Sequence, residues 1–341
     1  MKIVFLIGVG ISCFFPSSSN NVLAFAPSSV KNNFSVYASS KQLELQRPSC
    51  PTALEANLIT FDLDDTIFPV GPVVNDANVA LINHLAGLGC FTTTQETFLK
   101  STKLIRTSLS SPITYTELRQ RAIRMEMEKH LDSSLITDEE VCGAYYLWED
   151  HRHMAAEKHL YNDTISMLSH LKNNHPDVVI AAITNGKGNP LRMKSIEEYF
   201  DFCVSGEDDD VFPLRKPHAG IYNIAMKRYG ELSQSKGAMN QNNQAKDICW
   251  IHVGDDLAND VGASAKSGAC AVWVDLDDEY NQTASKRDPN AAQPAWSTAT
   301  KEELEKRMEL NKRAQKYVSA RVTKLADLPE AIRSITESVR K

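Results

Sequence analysis

No two of the seven cysteines are spaced as C-x-x-C, so the chain shows neither a zinc ribbon nor a redox pair, and they read as reduced, mostly buried thiols. Positive charge is in deficit: 37 Lys and Arg stand against 43 Asp and Glu, a net charge of -6, which argues against nucleic acid as a partner. The N-terminal apolar run IVFLIGVGISCFF, residues 3–15, is 13 residues long, short of the roughly 20 that a membrane-spanning helix needs. The nine histidines show no ligand spacing, and no internal repeat suggests a solenoid. Acid is missing from the first 43 residues altogether.

That last absence has a pattern. Met1-Lys2 and the apolar run suit a secretory signal peptide over 1–24, with Val22 and Ala24 placed as the small residues before a cleavage point. Residues 25–50 are Ser- and Asn-rich, a transit-peptide or linker composition. The stretch Ala24-Phe25-Ala26-Pro27 resembles the signal/transit junction of plastid proteins in algae with complex, red-type plastids. A plastid location is the expectation; secretion is the alternative, opposed by the lack of a disulfide-like cysteine pattern.

In the body, NLITFD (57–62), DVVIAAIT (177–184), DICWIHV (247–253) and CAVWVD (270–275) are apolar runs without clean alternation, as in strands buried on both faces of a parallel sheet. Helical patterns separate them, which predicts a doubly wound α/β sheet with ligands at the C-terminal strand ends. More than 100 residues without a β-run lie between the first two. There, 75–89 (Asn75 as N-cap), 114–131 and 137–160 (Thr137 and Glu140 as a capping box) read as helices. The expected organisation is a core over 55–72 and 171–341, an inserted all-helical cap over 73–170, and a C-terminal insertion over 277–320. Residues 233–247 and 277–298 read as loops, and 301–320 as one solvated helix carrying the pairs Glu302–Lys306, Glu303–Arg307 and Glu309–Arg313. His151 and His153 read as solvated, and Met125 and Met127 as cap packing.

Three β-runs end in chemistry. The first runs into Asp62-x-Asp64-Asp65-Thr66, the second into Thr184-Asn185-Gly186, the third into Gly254-Asp255-Asp256 with Asp260 following; Lys216 lies between the last two. Two carboxylate clusters on one sheet edge call for a cation, and oxygen-only ligands favour Mg²⁺. A hydroxyl, a glycine turn and a lysine suit a phosphate cradle. Asp65 reads as a turn residue, and Asp256 as either support behind the metal or surface.

Together these four motifs, in this order, resemble those of the haloacid dehalogenase-like (HAD) hydrolase superfamily, over about residues 57 to 276, and the helical insert resembles the cap of its first subclass. The resemblance implies that Asp62 is a nucleophile forming an aspartyl-phosphate and Asp64 the general acid and base. It implies that Asp62, the Asp64 carbonyl and Asp255 hold Mg²⁺, that Thr184, Asn185, Gly186 and Lys216 hold phosphate, and that Asp260 and Thr66 support them. Dehalogenases of the superfamily lack the second aspartate, so Asp64 favours phosphate esters; a phosphomutase or a non-catalytic binding module of the same fold are the alternatives.

The segments LITFDLDDTIFPVGPVV, VVIAAITNGKG and IHVGDDLANDVGASAKSGACAVWV are similar to bacterial phosphatases acting on FMN and on 5-amino-6-(5-phospho-D-ribitylamino)uracil. The implied partner is a small phosphorylated metabolite, with no membrane association in the mature form; a phosphoglycolate or nucleotide phosphatase is the alternative. On the cap, Arg121 and Arg124 share one helix face and Tyr115 and Arg119 another, and Arg121 and Arg124 are the expected substrate contacts.

Residues 1 to about 43, fused to a fluorescent reporter, are expected to reach a plastid, and Phe25→Ala to divert the fusion. Microscopy of the two fusions checks this; the unmutated fusion in the medium would refute it.

Overall fold

The computed structural model describes residues 56–235, 248–276 and 301–338. Signal and transit segments, most of the 233–247 loop and the 277–298 loop therefore lie outside the described residues; Ser233 to Ser235 belong to a helix.

Among the described residues, six parallel strands form one sheet in the order β3-β2-β1-β4-β5-β6: β1 (Leu58–Phe61), β2 (Val179–Thr184), β3 (Phe202–Ser205), β4 (Trp250–Gly254), β5 (Cys270–Val274) and β6 (Val318–Val322). The runs around β1, β2 and β4 lack alternation because both faces are covered. Ile59, Phe61, Ile180 and Val253 pack into one buried cluster; Leu58, Val179, Ile183 and Trp250 pack into another with Ile221, Tyr222 and Ala225. The second cluster is closed by helix α6 (Ala219–Ser235). The chain leaves β1 for β2 on one side and returns to β4 on the other, which makes the C-terminal end of β1 a switch point. Phe61 is in register with both Ala182 and Val253, so Asp62 and Gly254 emerge level with each other.

Between β1 and β2 come α1 (Val70–Gly87), α2 (Gln95–Ser108), α3 (Tyr115–Glu128), α4 (Asp138–Lys158) and α5 (Thr164–Asn174). Helices α1 to α4 bury their own apolar cluster, including Leu81, Phe98, Ile123, Met127 and Trp148. The Thr137–Glu140 capping box opens α4 as expected, and a second box, Thr94 with Thr97, opens α2, which the sequence reading did not anticipate.

Four expectations need correction. Asn75 is not an N-cap: α1 begins at Val70 after Pro69, whose ring presets the backbone, and the Asp65 carboxylate accepts the Val70 N–H at 2.8 Å from outside the helix. Asp65 adopts φ 61°, a left-handed turn conformation that Asp tolerates. Residues 301–320 are not one helix: α8 (Lys301–Ala314) gives way to β6, whose short alternating VSARV pairs at the sheet edge. Nor is α8 solvated all round, because Ala314 is buried on it and Asn311 accepts the Ala258 N–H at 2.9 Å; Glu309–Arg313, at 2.9 Å, lies on its exposed face. His153, finally, is buried on α4: its Nδ1 bonds the Glu149 carbonyl at 2.8 Å, and its Nε2 has no hydrogen-bond partner among the described residues.

Burial holds the His153 imidazole down at about 4, against 6.5 for the free group, and Arg192 and Arg152 oppose its charge further. With the folded value below the unfolded one, the unfolded chain takes the proton first. The contribution of His153 to stability is therefore full above pH 6.5 and falls as pH drops toward 4, by at most about 3 kcal/mol. In urea titrations from pH 7 to 4.5, His153→Gln is expected to lose stability less steeply than wild type; equal slopes would refute this.

Candidate active site

At the end of β1 the chain turns tightly: the N–H groups of Thr66 and Ile67 both bond the Leu63 carbonyl, and the Asp62 N–H still bonds Val253 of β4 at 2.8 Å. This holds Asp62 at the sheet edge. Lys216 approaches from the loop before α6 and donates to Asp62 Oδ1 at 2.5 Å and to Asp260 Oδ1 at 2.7 Å, with all three side chains buried. Asn185 fixes the lysine backbone from both sides, accepting its N–H at 2.8 Å and donating to its carbonyl at 3.1 Å. The Asn185 side chain is thus bonded to the Lys216 backbone. Thr184, on the end of β2, accepts the Gly186 N–H at 3.2 Å, and Thr66 accepts that of Asp255 at 3.1 Å.

Asp260 is spoken for on both oxygens: Oδ1 by Lys216 and by His252 at 3.4 Å, Oδ2 by the Asp256 N–H at 3.0 Å. Its approach depends on Gly254, where a Cβ would lie 2.4 Å from the Asp260 side chain. Burial works against the Asp260 charge, but Lys216 and His252 hold its carboxyl well below the usual range. Burial, with repulsion from Asp260 and Asp64, pushes Asp62 up to about 8 against the opposing pull of Lys216. Burial and four neighbouring aspartates, Asp65 first, push Asp255 far up too, and no hydrogen bond reaches its carboxylate among the described residues. Carboxylate oxygens of Asp62, Asp255 and Asp260 lie within 4.8 Å of one another. A buried, crowded oxygen cluster with one side chain left unbonded suits a hard divalent cation held by Asp62 and Asp255, with Asp260 retained as the lysine's partner.

Above this edge lies a cavity of about 670 Å³ walled by core, inserted helices and α8. Asp64 faces it, and the buried Arg152 of α4 donates to Asp64 Oδ1 at 2.7 Å. From α3, Tyr115 and Arg119 line the cavity. The Arg119 guanidinium lies 3.5 Å over the Trp148 ring, and Asn78 Oδ1 accepts from Arg119 at 3.1 Å and from Trp148 at 2.9 Å. Burial lowers Arg119 to about 9. Glu207, in the loop after β3, accepts the N–H groups of Tyr115 and Thr116 and so pins the start of α3 to the core.

Arg121 and Arg124 do not line the cavity. They lie on the other face of α3, where Arg121 pairs with Glu117 one turn back and Arg124 with Asp138 on α4. Sequence spacing separates two faces of a helix without saying which one docks. Also missing from the sequence reading were Arg152, the buried His252 and Arg307. Arg307, on α8, lines the cavity and ion-pairs with Asp256, which is buried and caps the helical turn Leu257–Gly262 through Ala258 and Asn259. Asp256 is therefore neither surface nor idle. The sequence signalled Arg307 only as a member of a charged helix, at Glu303–Arg307 spacing.

A family model of haloacid dehalogenase-like hydrolases matches residues 56–268. Over 220 residues the chain is 26% identical to the 5-amino-6-(5-phospho-D-ribitylamino)uracil phosphatase YigB of Escherichia coli (strain K12), covering 63% of this chain and 82% of that protein. The crystal structure of a 2-haloacid dehalogenase from Pseudomonas syringae pv. Tomato DC3000 superimposes with a TM-score of 0.54 at 20% identity, over 82% of this chain and 99% of the other; this likeness is one of fold.

Removing Arg307 leaves the buried Asp256 without its counter-charge. Arg307→Ala is expected to cost about 2 kcal/mol of stability. Asp256→Asn, which keeps the capping oxygen, is expected to recover most of that loss in the double variant. Chemical unfolding of the four proteins checks both; additive losses would show that the two residues do not act as a pair.

Proposed function

The chain belongs to the haloacid dehalogenase-like hydrolases, and from that premise we propose that it is a Mg²⁺-dependent phosphomonoesterase working through an aspartyl-phosphate. The observation that carries this reading is the pairing of two carboxylates in different settings on one loop. Asp62 is buried against Lys216, while Asp64, two residues on, faces the cavity. Lys216 occupies one oxygen of Asp62 and leaves the other to attack phosphorus. As the ester P–O bond breaks, the leaving oxygen takes a proton from Asp64. Water then attacks the same phosphorus, gives its proton to Asp64, and the bond to Asp62 breaks, which restores Asp62 as a carboxylate and Asp64 as the acid. A halide would need no such proton, so Asp64 favours an ester over a carbon–halogen bond.

Thr184 and Lys216 hold phosphoryl oxygens, and Lys216, kept cationic by Asp260 and Asp62 in spite of its burial, balances their charge. Asp62, Asp255 and the Asp64 carbonyl would hold Mg²⁺, which would supply charge neutralisation for nucleophile and phosphate.

For the substrate, the reading is a ribityl phosphate carrying a pyrimidine or flavin ring, such as 5-amino-6-(5-phospho-D-ribitylamino)uracil or FMN. Two things support it. The YigB relative is named for the first of these. And Arg119 presents a guanidinium on the cavity wall, stacked on Trp148, with no carboxylate in ion-pair reach among the described residues. Carbonyl-rich planar rings satisfy such a group. The partner is thus a small phosphorylated metabolite, and the acid-free leader keeps a plastid as the proposed location.

Asp62→Asn is expected to lower Mg²⁺-dependent turnover of phosphate esters by more than about 10³-fold, and undiminished turnover would sink the mechanism. Arg119→Ala is expected to lower kcat/KM about 10- to 100-fold on the ring-bearing esters and little on phosphoglycolate. Equal losses, or a wild-type preference for phosphoglycolate or a nucleotide, would overturn the substrate assignment.

A further inference from the structure

We infer that Arg152 is a positioning residue for the proton donor: from the inserted helix α4 it orients the Asp64 carboxyl toward the leaving oxygen. The inference rests on the phosphatase reading above.

The acidic loop does not hold Asp64 itself. Asp62 is gripped by Lys216, and Asp65 by the Val70 N–H, but the only hydrogen bond to the Asp64 side chain among the described residues comes from Arg152. That bond uses Oδ1. Oδ2 is left 3.8 Å from where a Cβ on Gly186 would stand, so it points at the turn that follows Thr184 at the end of β2. The oxygen that must give and take protons is therefore aimed at the phosphate cradle by a bond to its twin. A carboxyl with free rotation would spend much of its time turned elsewhere.

Arg152 itself is poorly placed for stability. Its side chain is 4% exposed, and Nη1 is buried without a hydrogen-bond partner among the described residues, pressed to 3.0 Å from where a Cβ on Gly188 would lie. Glu149, three residues before it on the same helix, is committed to Arg192 at 2.7 Å and to Tyr145 at 3.2 Å. A buried guanidinium that leaves one donor unmet and binds a partly open carboxylate costs the fold free energy. A methionine of similar length would avoid that cost.

A positioning role leaves a mark that lost packing does not. Alkyl phosphates expel a basic alkoxide and need the proton; p-nitrophenyl phosphate expels a stable phenolate and hardly does. With Mg²⁺ present, Arg152→Met is expected to lower kcat/KM about 100-fold on an alkyl phosphate and only several-fold on p-nitrophenyl phosphate. Tm is expected to stay or rise. Asp64→Asn should show the same leaving-group dependence, and adding Arg152→Met to it should cost almost nothing more. Arg152→Gln, which fills the site without charge, carries the same comparison if the methionine variant does not fold. Equal losses on both esters, or additive losses with Asp64→Asn, would overturn the inference while the phosphatase reading stands. A wild type inactive on every ester, or an active Asp62→Asn, would overturn that reading and this inference with it.

Discussion

The bridge from Lys216 to Asp62 and Asp260 is the contact on which the site depends. It joins three segments distant in sequence, the loop after β1, the loop before α6 and the turn after β4, at one point on the sheet edge. Without a cation there, carboxylates within 4.8 Å of one another would be buried with their charges unbalanced. Much of the surrounding structure keeps that lysine in place. Asn185 holds its backbone, Gly254 makes room for Asp260, and His252 backs Asp260 from beneath while bonding Thr60 at 2.8 Å. Burial lowers the His252 imidazole against the pull of Asp260, and Lys216 is the cation that bonds both Asp62 and Asp260.

The sheet edge supplies acid, and the elements laid over it supply arginine. Arg152 and Arg119 come from the inserted helices and Arg307 from α8. Each meets a different need: Arg152 reaches Asp64, Arg307 reaches Asp256, and Arg119 rests on Trp148. The covering elements thus complete the charge arrangement of the core as well as shaping the cavity.

How far this was legible in the sequence follows from how each residue is placed. Asp62, Thr184 and Asp255 sit at the ends of runs that read as buried strands, and a parallel sheet brings those ends together whatever else the chain does. Their meeting needs only the backbone. Arg119 and Arg121 are two apart on one helix, and periodicity alone cannot say which meets the core. The answer lies in Glu207, in a loop some 90 residues later, which grips the start of α3 and sets its rotation. Likewise β6 was hidden because its five residues follow a charged helix without a break that periodicity could detect.

The same distinction explains why α8 was misread. Glu302–Lys306 and Glu303–Arg307 spacing describes a helix stabilised by its own charges, and such pairs are worth only a few tenths of a kcal/mol each. A buried carboxylate such as Asp256 offers a guanidinium far more than a solvated glutamate one turn away. Arg307 therefore turns inward, Asn311 one turn on follows it to Ala258, and Ala314 closes the same face against Gly262. These three residues, at helical spacing, form a stripe too polar to register as an amphipathic face, and what they dock on is the capped turn that sets Asp260 against Lys216.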